Sequence, residues 1–292
     1  MPELPEIESY IRALETRVVG FDIEAIRVAS FSLLRTFDPP IEATFGASVT
    51  GLHRIGKRIS IDLSNDLHLV IHLMVAGRLK WTADPKPIPK RGGLVSFDFS
   101  SGSLLLTEAG TKRRASLSVL RTEELRTADP GGIEVADASL EEFAAALLTN
   151  RHTLKRALTD ARYLSGIGGA FADEILHAAR LSPTQMNTNL SEEQVETLFD
   201  ATKTVLQEWT DRRVSETGDG FPTKVTAFHP DMAVHGKFGE PCPVCAAPVQ
   251  RIVAGARETN YCAGCQTGGK ILADRSLSRL LKDDWPKTLD EL

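Results

Sequence analysis

Four cysteines lie within 24 consecutive residues, as Cys242-Pro-Val-Cys245 and Cys262-Ala-Gly-Cys265 with 16 residues between the pairs. Nothing else in the chain restricts its folding as tightly. Two thiolate pairs at this spacing suit one tetrahedral zinc ion with a β-hairpin running between them. Two disulfides are the competing arrangement. Disulfides belong to oxidising compartments, and the chain carries no secretion signal, so one Zn2+ is the reading adopted. Four thiolates leave no coordination position for water, which makes the metal structural.

A chain of 292 residues, 42% of them hydrophobic, is long enough for two globular domains. No apolar run approaches the roughly 18 residues of a membrane-crossing helix, so no membrane contact is expected and the cytoplasm is the default location. The net charge of −5 does not advertise a nucleic-acid partner. Local charge points weakly the other way. Arg54, Lys57, Arg58, Arg78 and Lys80 cluster in one stretch, Lys112, Arg113 and Arg114 are consecutive, and part of the acidic excess sits in the tail at Asp283, Asp284, Asp290 and Glu291.

Hydrophobic periodicity divides the chain. Ile7, Ile11, Leu14 and Val18 repeat at helical spacing over residues 5–18, and Gly20 stops the helix. From 21 to about 125 the pattern alternates, as in Arg58-Ile-Ser-Ile-Asp-Leu63, with turn residues at Asn65-Asp66 and Ser101-Gly102 and a loop over 84–93. This predicts an antiparallel β-sandwich with a flanking helix. Asp129-Pro130-Gly131-Gly132 reads as a linker. Helices are expected near 139–148, 151–160, 169–180 and 191–213, and another over 271–283 with Ile271, Leu272, Leu277, Leu280 and Leu281 on its apolar side. The fold class is therefore α+β, with domains at 1–130, 131–235 and 236–270 and a C-terminal extension at 271–292.

Two further features carry chemistry. The chain begins Met1-Pro2-Glu3-Leu4-Pro5-Glu6. Methionine before proline is usually removed, and a freed Pro2 would be a secondary amine titrating near about 8, nucleophilic at neutral pH. Attack on a sugar or aldehyde carbon would give an iminium, with Glu3 placed to move protons. The plainer reading is a helix start, with Pro5 in its first turn and Glu6 and Glu8 at its positive end. The second feature is Leu164-Ser-Gly-Ile-Gly-Gly169 between two helical stretches. Such glycines let backbone N–H groups approach an anion at a helix start, and Arg151 and Lys155 would add phosphate contacts.

The N-terminal motif, the helix–two-turn–helix stretch over 150–180 and the four-cysteine hairpin together resemble formamidopyrimidine-DNA glycosylases, within a family that includes endonuclease VIII. The resemblance runs from Met1 to about Gln266. It implies a bifunctional DNA glycosylase and abasic-site lyase acting as a monomer on double-stranded DNA that contains damaged bases or abasic sites. Pro2 would form the Schiff base and Glu3 would be its acid/base partner. Lys57 would contact phosphate and assist elimination, and Arg257 would bind the lesion phosphate and serve δ-elimination. Glu6 and Glu174 match acids of the family motifs. His72, Arg114, Arg151, Lys155 and Gly169 match DNA-side positions.

Departures concentrate where lesions are handled. Gly169 stands where the family has a phosphate-holding asparagine. Val75 stands at the void-filling methionine, and strand alternation would send neighbouring Met74 to the opposite face. Thr111-Lys-Arg-Arg-Ala-Ser116 keeps arginine but offers no aromatic wedge, and Lys90-Arg-Gly-Gly-Leu94 replaces a histidine-rich segment. The chain runs 27 residues past Cys265, beyond the common family pattern. Oxidised purines such as 8-oxoguanine or formamidopyrimidine are the favoured substrates. A preference for oxidised pyrimidines, a mainly abasic-site lyase, and a non-catalytic binder of damaged DNA are the alternatives.

Overall fold

A computed structural model describes every residue except Thr111, Lys224, Ala227, Ala256, Arg275 and Ser276, and all but the side chain of Leu277. The chain divides into two compact units. One comprises Met1–Pro130 with Trp209–Thr226, the other Gly131–Glu208 with Ala227–Leu292.

The first unit opens on helix α1 (Leu4–Val18), which has proline in its first turn and a capping box between Glu3 and Glu6. Both devices satisfy or remove N–H groups that a helix start leaves unpaired. Eight strands follow: β1 (Ile23–Val28), β2 (Val49–Ile55), β3 (Arg58–Leu63), β4 (Leu67–His72), β5 (Gly77–Thr82), β6 (Gly93–Phe99), β7 (Gly102–Glu108) and β8 (Ser116–Arg121). They form two four-stranded sheets ordered β1-β6-β7-β5 and β2-β3-β4-β8. Every ladder is antiparallel.

Alternation decides the packing. Ile59 and Ile61 of β3, Leu69 and Ile71 of β4, and Leu117 of β8 share one core with Phe97 of β6 and with Leu104 and Leu106 of β7. Ile7, Tyr10 and Leu14 of α1 join that core from their helical stripe. Val225 and Phe221 also pack into it. The segment around them is tied to α1, where Arg17 donates to the Asp219 carbonyl at 2.6 Å and Ser9 Oγ to the Arg213 carbonyl at 3.3 Å.

The second unit contains α2 (Leu140–Leu148), α3 (Leu154–Leu158), α4 (Gly169–Ala178) and most of the long α5 (Glu192–Thr217), whose last residues from Trp209 belong to the first unit. A hairpin of β9 (Val249–Ala254) and β10 (Arg257–Cys262) follows, then the short helices α6 (Ala263–Thr267) and α7 (Leu277–Leu281).

Three local expectations change. The helix expected over 151–160 covers only Leu154–Leu158, because the preceding backbone is held extended. His152 N–H donates to Asn187 Oδ1 at 3.0 Å, and Leu154 N–H to the Gln185 carbonyl at 2.8 Å. Met74 does not follow strand alternation. It lies in the turn between β4 and β5 at φ +52°, and Gly77 closes that turn by donating to the Leu73 carbonyl at 2.9 Å. A Cβ at Gly77 would lie 2.2 Å from the Leu73 oxygen, so only glycine fits. Finally, 271–283 is not one helix. Ile271 and Leu272 lie outside any helix and pack on the hairpin, α7 spans Leu277–Leu281, and Leu280, at 76% exposed, faces solvent.

Truncating the fully buried Phe97 tests the sandwich core. Phe97→Ala is expected to lower unfolding free energy by about 3–5 kcal/mol, read from urea denaturation as a lower midpoint with an unchanged slope.

Candidate active site and zinc centre

In the first unit, the start of α1 gathers the N-terminal candidates. Pro2 is buried, and Glu3 and Glu6 are 3% and 2% exposed. Glu3 N–H donates to Glu6 Oε2 at 2.9 Å, and Glu6 Oε1 lies 3.4 Å from Arg213 Nη2. Burial pushes the Glu6 carboxyl up to about 7, with the Glu3 N–H and Arg213 opposing and the Glu3 charge adding to the rise. The terminal amine is pushed below its ordinary value. Burial is the largest cause; Arg78 and Lys57 act in the same direction, while Glu3 and Glu6 oppose them. That amine is the one on Met1, and it feels two carboxylates and two cations.

Lys57 reaches this cluster from the two-residue turn between β2 and β3, where Gly56 at φ +60° supplies the left-handed position such turns need. Burial lowers the Lys57 ammonium, and Glu3 holds it up. His72 ends β4 directly opposite Arg58 of β3. Burial first, then the charges of Arg58 and Lys57, push its imidazole down to about 4. His72 is thus neutral at physiological pH.

The other basic residues of this unit separate into engaged and exposed groups. Arg54 is committed internally, with Nε 2.9 Å from Glu8 Oε1 and Nη1 donating to the Gly56 carbonyl at 2.8 Å. Lys112, Arg113 and Arg114 are exposed. The backbone N–H groups of Arg114 and Ala115 donate to the buried Glu108 carboxylate at 2.9 and 3.1 Å. Sequence reasoning missed Glu108, which reads as one acid ending an alternating strand. Val75, 60% exposed, stands at the tip of the β4–β5 turn.

In the second unit, Arg151 is exposed ahead of α3, while Lys155 is tied down. Lys155 Nζ lies 2.7 Å from Asp173 Oδ1 and donates to the Glu258 carbonyl at 2.7 Å. Its ammonium is thereby held against α4 and β10. Gly169 is the first residue of α4, and a Cβ there would meet nothing within 4 Å. Steric need therefore does not explain the missing asparagine.

Glu174 takes a role the sequence left open. Its carboxylate accepts the N–H groups of Ala233, Val234 and His235 at 2.8, 2.9 and 2.9 Å. Burial pushes this carboxyl up and the three donors pull it back. Asp173, fully buried, accepts from Asn260 N–H at 3.2 Å and faces His235 Nδ1 at 2.9 Å, and Asn260 Oδ1 accepts Gly236 N–H at 2.9 Å. Adjacent acids inside Ala-Phe-Ala-Asp-Glu-Ile-Leu were the available signal, since an apolar helix carries buried charge only when it is paired.

The hairpin ends bring the four cysteine sulfurs within 4.8 Å of one another. Cys262 Sγ accepts Cys265 N–H at 3.4 Å and Cys242 Sγ accepts Val244 N–H at 3.5 Å, as thiolates do. Burial is the largest cause pushing the Cys262 thiol up to about 11; the Cys265 N–H opposes it, and the Cys245 and Cys242 sulfurs add to the rise. Donor type, number and spacing all fit tetrahedral zinc. Buried His177 adds a contact, Nε2 to Cys242 Sγ at 3.3 Å, that spacing did not reveal. Arg257 is exposed at the head of β10, paired with Ala254 across the hairpin.

Comparison with known proteins now decides the family. The formamidopyrimidine-DNA glycosylase of Heliobacterium modesticaldum is 30% identical over 282 residues, which cover 91% of this chain and all of that protein. The chain belongs to the formamidopyrimidine-DNA glycosylase family. The Desulfitobacterium hafniense enzyme is 31% identical over 283 residues, again spanning 91% of this chain and 100% of the relative. Residues 1–128 match the family's N-terminal domain, 131–218 its H2TH domain, and 239–268 the zinc finger found in FPG and IleRS. With that match and the sulfur geometry together, the quartet is a structural zinc site. A Lactococcus lactis formamidopyrimidine-DNA glycosylase bound to DNA containing an abasic site shares the fold at TM-score 0.79 and 24% identity, covering 91% of this chain and 99% of its own. MutM in complex with DNA containing carbocyclic 8-oxo-G is 25% identical at TM-score 0.79, with 91% and 100% covered. No described helix is long and apolar enough to cross a membrane.

Two measurements test this geometry. Because the fold favours neutral His72, the unfolded chain takes up the ring proton first as pH falls below about 6.5. Stability is therefore lost between about 6.5 and about 4, a component that His72→Gln removes, and the His72 imidazole resonance should titrate near 4. For the metal, elemental analysis should find one zinc per chain, and Cys262→Ser should abolish it along with protease resistance of the hairpin.

Proposed function

We propose that this chain is a DNA repair glycosylase with abasic-site lyase activity, removing oxidised purines from double-stranded DNA. The observation that carries the reading is the burial of Pro2 beside the buried carboxylates Glu3 and Glu6, with Lys57 and Arg78 close enough for their charges to act on the chain's N-terminus. Removal of Met1 converts the amide nitrogen of Pro2 into a secondary amine in this setting. Its lone pair attacks C1′ of the damaged nucleotide and the N-glycosidic bond breaks, the base leaving with a proton. Opening of the sugar ring gives the iminium, O4′ taking a proton for which Glu3 is the nearest candidate donor. The iminium acidifies the C2′ protons, and loss of one expels the 3′ phosphate.

Lys57 and Arg257 serve as phosphate contacts, and neutral His72, Arg114 and Arg151 as DNA-side groups. Glu6 acts by holding the Glu3 backbone. Glu174 acts by fixing the segment that leads into the zinc finger. Taking the damaged nucleotide out of the stack costs a few kcal/mol, and exposed Val75 is the side chain offered at the turn where a wedge is needed. The chain works as a monomer in the cytoplasm.

Borohydride trapping on a duplex with one abasic site tests the amine mechanism. The full chain with Met1 removed should form a covalent protein–DNA adduct, and Pro2→Gly should reduce its yield at least about tenfold. DNA binding without any adduct in the processed protein would leave a non-catalytic damaged-DNA binder. Excision of 8-oxoguanine from the same duplex separates a glycosylase from a lyase confined to abasic sites.

A further inference from the structure

The matched zinc finger ends at residue 268, and nothing so far accounts for the chain beyond it. The described residues of 269–292 do not trail from the hairpin. The extension doubles back on itself, with Ile271 N–H donating to the Lys287 carbonyl at 2.8 Å, Leu289 N–H to the Gly269 carbonyl at 3.0 Å, and a bridge between Lys270 and Thr288. Ile271, Leu272, Trp285 and Leu289 then pack on Ile252 of β9, Tyr261 of β10 and Ala263 of α6. The cluster is apolar and centred on a fully buried tyrosine, so it is a small core shared by hairpin and extension.

Two polar contacts fix where the extension holds. Leu272 N–H donates to the Tyr261 hydroxyl at 2.7 Å. The carboxylate of Asp274, only 2% exposed, accepts Val253 N–H at 2.7 Å. Val253 lies one residue before Ala254, the cross-strand partner of Arg257, and only Gly255 and Ala256 connect the two strands there. The second contact is therefore made at the distal end of the hairpin, away from the cysteines. Two-stranded hairpins are marginally stable alone, and zinc grips only the cysteine end of this one.

We propose that the C-terminal extension braces the distal end of the zinc hairpin, and that Asp274, through Val253, is a positioning residue for Arg257. The inference rests on the reading of Arg257 as a phosphate contact. A buried carboxylate on a strand-edge N–H fixes the β9 backbone at that point. The register of β9 against β10 then fixes the Arg257 Cα. Without the brace, Arg257 samples a wider arc and meets a phosphate less often, which weakens substrate binding and leaves the N-terminal chemistry intact.

The test is steady-state cleavage of a duplex with one abasic site by the full, Met1-processed chain, with zinc content measured in parallel. Asp274→Ala should raise KM roughly tenfold, about the effect of losing one charge-assisted contact, with kcat nearly unchanged and one zinc retained. Asp274→Asn keeps an oxygen acceptor for Val253 N–H and should restore most of the affinity. In an Arg257→Ala background, Asp274→Ala should add nothing, because both changes remove the same contact. An unaltered KM in Asp274→Ala beside a raised KM in Arg257→Ala would sink the brace and spare the role of Arg257. No effect of Arg257→Ala would sink that role and the inference with it. Additive effects, or zinc lost from Asp274→Ala, would place the action of Asp274 elsewhere and overturn the proposal.

Discussion

Two neighbouring carboxylates on α4 hold the zinc-bearing part of the second unit together. Asp173 collects Lys155, His235 and the Asn260 backbone, and Glu174 collects three successive N–H groups over 233–235. Buried carboxyl groups at adjacent positions are costly unless each is hydrogen-bonded. Each is tolerated because its oxygens meet donors on several elements. In return, the segment entering the cysteine module, the β10 strand and the helix–turn–helix core are joined at one point. Zinc closes the module from the other end, with His177 of the same helix touching Cys242.

The first unit solves a different problem. Its N-terminal segment is buried at Pro2, Glu3 and Glu6. On the function proposed above, the capping box uses the residues that start the helix, Glu3 and Glu6, to flank the amine. Helix initiation and site construction are then the same act. The turn carrying Lys57 and the end of β4 carrying His72 reach the cluster because β2, β3 and β4 pair in register, with Arg58 opposite His72.

Local patterns were legible in the sequence, and long-range polar partners were not. The stripe of Ile7, Ile11 and Leu14, the alternation of β3 and the cysteine spacing each encode a period or distance that one segment carries alone. The grip of Asp173 on Asn260 spans 87 positions and that of Glu174 on Val234 spans 60, so no local pattern announces them. The pairing of Lys155 with Asp173 is likewise visible only in the fold. Met74 was assigned by strand alternation where the strand had already ended. The extension read as a helix because leucines recur at suitable spacing, yet Ile271 and Leu272 found a better apolar surface on Tyr261. The helix–two-turn–helix glycines were visible, whereas the open space at Gly169 became apparent only in three dimensions.

The contact between Asp274 and Val253 bears on solution behaviour as well as on geometry. A two-stranded ribbon has two outer edges, and each unsatisfied N–H along them is a template for another strand. The extension occupies part of the β9 edge with a buried carboxylate and presses Ile271 and Leu272 onto the apolar side of the ribbon. A finger covered in this way keeps its edge from recruiting strands of other chains during the intervals when no duplex lies against it.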